Sequence, residues 1–180
     1  MIRASLISAL SLLAACATAP ETAAQSAAAS PPPPCSTPAH HAFDFWIGEW
    51  DVFNAAGNQV GTNTITREEY GCLLVEHWTD ANGITGQSYN FLDPSTDKWR
   101  QLWISGGEVT DFEGAPDAAG VLRLDGVSRP RNPGGTTSIV RGTWTANPDG
   151  TVTQHFERQD PATGSWSDTF VGTYVRKDAP

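Results

Sequence analysis

Ser88–Trp103 reads SYNFLDPSTDKWRQLW, and its layout decides the fold. Two β-rich runs flank Asp93-Pro94-Ser95-Thr96-Asp97, where Asp can accept backbone N–H groups and Pro presets φ for a turn. Side chains alternate across a strand, so Ser88 and Asn90 share one face against Tyr89 and Phe91. Beyond the turn, Trp99, Gln101 and Trp103 share a face opposite Arg100 and Leu102. The stretch therefore predicts an antiparallel hairpin. It has an echo in Asp160-Pro161-Ala162-Thr163-Gly164-Ser165-Trp166, with Trp103 answered by Phe170 and Ile104 by Val171. The echo reads as one turn solution used twice, with Trp covering the strand start.

Outward from this hairpin the pattern repeats. Turn signals at Ala56-Gly57-Asn58, Ala81-Asn82-Gly83 and Asn147-Pro148-Asp149-Gly150 separate runs rich in Thr, Val, Ile, Trp and Phe. Strands are predicted at 48–53, 59–68, 72–79, 84–92, 98–104, 108–114, 121–128, 137–146, 151–158 and 166–176. No window of twelve residues carries a 3.6-residue period, although 39–45 has room for a short helical turn. With 17 glycines and 13 prolines among 180 residues, a bundle of long helices is excluded. Ten evenly spaced strands joined by hairpins predict an all-β protein, a single antiparallel up-and-down barrel. A two-sheet sandwich is the alternative, and it would need long crossovers that the sequence lacks.

Carrying the phase along the chain assembles an inner face. Glu76 and Trp78 alternate with Val75 and His77, and Gln154 and Phe156 alternate with His155 and Glu157. If the aromatic residues point inward, the lumen gathers Glu76, Trp78, Ser88, Asn90, Gln101, Trp103, Gln154 and Phe156. A barrel that only buries its interior fills it with Val, Leu and Ile. Aromatic walls with a few hydrogen-bonding groups suit a small-molecule ligand. Here Glu76 would orient or counter-charge the ligand, the amides would read its polar groups, and the indoles would stack. The alternative is a self-satisfied buried network.

The N-terminal region supplies an address. Arg3 precedes the apolar run Ala4–Ala15, which is shorter than the roughly 20 residues that cross a bilayer. Leu13-Ala14-Ala15-Cys16 resembles the lipobox of bacterial lipoproteins, which implies cleavage before Cys16 and lipidation of its thiol. Residues 1–15 are then a signal peptide, residues 16–34 a lipidated Cys with an Ala/Pro-rich tether, and residues 35–180 the barrel domain. Ala17 in place of Asp directs such an anchor to the outer membrane of a Gram-negative host, on the periplasmic side. With Cys16 lipidated, Cys35 and Cys72 remain as a pair in an oxidising compartment, where a disulfide is expected. Two separate thiols are the alternative. Zinc is not expected, because neither cysteine has a second ligand at zinc-site spacing.

Phe43-Asp44-Phe45-Trp46-Ile47-Gly48-Glu49-Trp50-Asp51-Val52 resembles the opening F-D-F-W-x-G-x-W-D of a bacterial family of calycin-like barrels. Gly71–Trp78, Ser88–Pro94 and Trp99–Trp103 match further motifs of that family, and the likeness spans about 43–177. It implies a closed barrel of the lipocalin and fatty-acid-binding kind, and it implies no activity. Phe156 stands where the family more often has Trp. The loop Ser128–Gly135, SRPRNPGG, is longer and more basic than usual. In calycins the Gly-x-Trp closes one barrel end beneath a cation from the last strand, so Gly48, Trp50 and Arg176 are assigned a structural role.

Charge and motif content narrow the function. Twenty acidic residues against 11 Lys plus Arg give −9, which speaks against nucleic acid as a partner. Glu76 and His77 are strand neighbours on opposite faces, so they cannot form an acid–base pair unless a bulge intervenes. No nucleophile elbow, phosphate loop or metal triad is present, and no catalytic residue, metal or cofactor is expected. His40 and His41 with Asp44 read as a solvated edge. The expectation is a lipid-anchored periplasmic barrel whose partners are a small, partly apolar ligand and, through its lipid, the membrane. The alternatives are a haem barrel of the nitrobindin kind, which would need a late histidine such as His155, an enzyme, or a structural envelope lipoprotein.

Overall fold

The computed structural model describes residues 31–177. The expected signal peptide, Cys16 and most of the expected tether lie outside the described residues. Ten antiparallel strands close into one barrel: β1 (Gly48–Asn54), β2 (Gln59–Glu68), β3 (Leu73–Asp80), β4 (Thr85–Asp93), β5 (Lys98–Ser105), β6 (Glu108–Pro116), β7 (Leu122–Arg129), β8 (Ser138–Ala146), β9 (Val152–Gln159) and β10 (Trp166–Arg176). Each strand pairs with its sequence neighbours, and β1 pairs with β10 to seal the sheet. The sandwich alternative is thereby excluded.

The turns close through the side chains that signalled them. Asp93 accepts the Ser95 N–H at 2.9 Å, and Asp160 accepts the Ala162 N–H at 2.8 Å. Asn54, Asp80 and Asp117 each accept two backbone N–H groups of the following turn. These bonds satisfy donors that a hairpin would otherwise leave to water and fix the register of the flanking strands.

The two ends of the barrel differ. Before β1 the chain makes 3₁₀ turns at Pro38–His41 and Asp44–Trp46, and these lodge in one end. Phe43 and Trp46 are fully buried and stacked at 4.9 Å, with the edges of Trp99 and Trp144 against Phe43 at 5.5 Å each. The Trp50 indole N–H donates to the Trp46 carbonyl at 2.9 Å, and that of Trp99 to the Ala39 carbonyl at 3.1 Å. Asp44 is held by His41 at 2.7 Å and by Arg67. The short turn expected at 39–45 is thus the plug of the barrel. Arg176 stands 4.2 Å over the Trp50 ring and donates to the Ile47 carbonyl at 3.0 Å, closing the same end. Cys35 and Cys72 are joined by a disulfide there. Cys72 itself lies one residue before β3, after a 3₁₀ turn at Glu69–Gly71.

Candidate ligand-binding lumen

Three strands repeat one sequence of environments from the plugged end towards the other. On β3 the inward residues run Leu74, Glu76, Trp78; on β5 they run Trp99, Gln101, Trp103; on β9 they run Val152, Gln154, Phe156. Each strand thus contributes an apolar group at the plug, a polar group at mid-barrel and an aromatic ring beyond it. The polar layer is buried: Asn63, Glu76, Ser88, Asn90, Gln101 and Gln154 are all at most 4% exposed.

Buried polar groups must find partners, and here the hydrogen bonds converge on one carboxylate. Gln101 Nε2 donates to Asn90 Oδ1 at 2.8 Å, Asn90 Nδ2 to Ser88 Oγ at 2.8 Å, and Ser88 Oγ to Glu76 Oε2 at 2.5 Å. From the other side Asn63 Nδ2 donates to Glu76 Oε1 at 2.7 Å and more weakly to the Tyr174 hydroxyl at 3.3 Å, which donates to Gln154 Oε1 at 2.6 Å. Burial raises the Glu76 pKa from 4.5 to about 7, a rise restrained by the bonds from Ser88 and Asn63. Burial, with the Glu76 charge beside it, holds the Tyr174 hydroxyl well above its usual 10, so it remains a donor.

Above this layer lies a cavity of about 260 Å³. Glu76, Gln101, Gln154 and Tyr174 form its floor, and Trp78, Trp103, Phe112, Phe156 and Phe170 form its wall. Phe112 stacks on Phe156 at 5.7 Å, Phe156 tilts against Phe170 at 6.2 Å, and Phe170 meets the edge of Trp78 at 6.4 Å. The wall is thin where rings lie on glycine: a Cβ on Gly61 would stand 2.5 Å from Trp78, and one on Gly86 2.3 Å from Trp103. Thr110, Ser128, Val140 and Thr169 add to the wall, and Glu108, Glu157 and Arg158 also line the cavity, nearer the unplugged end. The volume falls just below the roughly 300–1,000 Å³ of drug-sized sites.

Six of the eight expected lumen residues, Glu76, Trp78, Gln101, Trp103, Gln154 and Phe156, line this cavity. Ser88 and Asn90 face inward but stand behind the floor, spent on holding Glu76 and Gln101. Of the basic loop only Ser128 lines the cavity, and its arginines do not: Arg129 bonds Asp111 at 2.5 Å, and Arg131 lies against the Gly107 position. Sequence reading passed over Asn63, Phe112, Phe170 and Tyr174. Asn63 shares a face with Gly61 and Ile65, and Tyr174 with Gly172 and Phe170, so the period-two signal is present.

Among the described residues no histidine lines the cavity. His77 accompanies Gln87 on the outer face, and His155 bonds Asp168 there at 2.8 Å. The lumen therefore offers haem no imidazole. Neither a family model nor a curated protein matches the chain.

Proposed function

We propose that the protein is a binding barrel for a small, partly apolar molecule, exported and held at the periplasmic face of the outer membrane by lipid on Cys16. The observation that carries the binding reading is the cavity itself, five aromatic rings over a floor of one carboxylate, two amides and a phenol. A fold specifies no function, so the reading rests on that lining rather than on the barrel. The likeness of Phe43–Val52 to calycin-like barrels, a group that includes carriers of small apolar molecules, agrees with it. The lipobox-like Leu13–Cys16 supports the address.

The test is a native mass spectrum of the purified full chain, followed by a metabolite and lipid screen read through tryptophan fluorescence. Trp78 and Trp103 line the cavity, so an occupant must shift or quench their emission. A co-purified small molecule or a saturable fluorescence response supports the reading. If the mass is that of the bare lipoprotein and no compound gives a response, the lumen is not a binding site.

A further inference from the structure

The chemical class of the occupant follows from what the cavity floor leaves uncompensated, given that the lumen binds a ligand at all. Glu76 is 3% exposed, and its partners are two neutral donors, Asn63 and Ser88. Among the described residues no Lys, Arg or His forms an ion pair or hydrogen bond with it. A carboxylate can accept about four hydrogen bonds, and here two are made. Beside it Asn63 Oδ1 is buried without a donor, a second acceptor in want of one. The floor is therefore rich in acceptors, and every donor chain that reaches Glu76 ends on it.

The wall has the same polarity. Aromatic rings present negative faces, which attract cations strongly where water is excluded. Five rings surround the space above Glu76. The other ionisable groups of the lining are Glu108 from β6, Glu157 and Arg158 from β9, and the protonated Tyr174 from β10; Glu157 turns outward beside Arg141, 3.9 Å away, so the inward carboxylates Glu76 and Glu108 face one inward cation, Arg158. An anionic ligand, a fatty acid included, would set like charges together in a site of low dielectric. A neutral ligand would seal the ionised form of Glu76 from the remaining solvent without a countercharge.

We infer that the lumen takes an organic cation, an ammonium or amidinium group on an apolar body of about one ring, with its charge seated between Glu76 and the aromatic wall. The ligand's N–H groups fill the open acceptor positions of Glu76, and its apolar body covers Phe112, Phe156 and Phe170.

Three probes of nearly one shape test this on the full chain in detergent: 2-phenylethylammonium, 2-phenylethanol and phenylacetate, titrated at about pH 8, where Glu76 is mostly ionised. The ammonium should bind about tenfold tighter than the alcohol or better, and phenylacetate should bind weakest. In Glu76→Gln the ammonium should lose most of its advantage over the alcohol, the aromatic wall keeping the remainder. Trp103→Leu, which keeps the floor, should weaken the ammonium more than the alcohol, and it carries the test should Glu76→Gln fail to fold. Phenylacetate binding as well as the ammonium, or an ammonium preference that survives both substitutions, overturns the inference. The neutral dye N-phenyl-1-naphthylamine separates the two levels of failure. If the dye enters and quenches tryptophan while the ammonium shows no preference, cation selectivity falls and lumen binding stands. If neither the dye nor any probe binds, both fall.

Discussion

The indole of Trp103 occupies the space in which a side chain on Gly86 would begin, 2.3 Å from the position of its Cβ. Trp103 can lie back against the wall because that residue has no side chain. Gly86→Ala forces the ring towards the lumen or forces the strand to shift. Overpacking of this kind costs about 1–3 kcal/mol. The expected outcome is a lower denaturant midpoint together with weaker dye binding in the lumen. Lost stability with unchanged binding would mean that the ring yields away from the cavity.

Glu76 makes stability fall with rising pH. The folded protein keeps on this residue a proton that the unfolded chain loses near 4.5, because burial raises the native pKa to about 7. Stability contributed by the retained proton is present at and below about pH 4.5, declines as pH rises to about 7, and is flat above it. The span corresponds to about 3 kcal/mol. Glu76→Gln lacks the titrating proton, so it should match the parent near pH 4.5 and exceed it by about that amount near pH 8. Urea unfolding of both proteins across this range measures the difference. Asp93, Asp149 and Asp160, whose pKa values are lowered by turn hydrogen bonds from Ser95, Thr151 and Thr163, act in the opposite sense at lower pH.

The Cys35–Cys72 bond spans 37 residues and encloses the plug, β1 and β2. Chain-entropy arguments assign a loop of this length about 3–4 kcal/mol, and measured effects are often smaller. Reductant, or Cys35→Ala with Cys72→Ala, should lower the unfolding midpoint to a common value. Two reactive thiols in the oxidised, unfolded protein would contradict the bond.

Cys16→Ala should move the protein from the membrane fraction to the soluble periplasmic fraction and abolish palmitate labelling. A variant that still labels and still sediments with membranes excludes the lipobox reading.

The strand pattern was legible where a turn carries its own chemistry. Asn54, Asp80, Asp93 and Asp160 mark corners by the bonds they make locally, and period-two alternation then assigns faces. It was less legible where geometry breaks the count. The echo between Asp93–Trp99 and Asp160–Trp166 places its two turns at opposite ends of the barrel. Trp99 is buried in the plug, whereas Trp166 lies on the outer face under Arg141, 3.9 Å from its ring. A bulge between Asp168 and Phe170 makes the difference, turning Asp168 outward with Glu157 and Phe170 inward with Phe156. A bulge leaves no signature in alternation read one strand at a time. Nor does period two separate a side chain that lines a cavity from one that braces it, and so Ser88 and Asn90 were grouped with Glu76.

The plug has a mechanical consequence. Residues 36–71 form a closed covalent loop, because Cys35 is bonded to Cys72. Tension arriving along the chain from its N-terminal side passes through the sulfur bridge into the start of β3 and bypasses the plug, which sits inside the loop. A pull on the chain ahead of Cys35 therefore loads the wall without drawing Phe43 and Trp46 from their seat. The load also enters at the sealed end, so the far rim bears none of it directly.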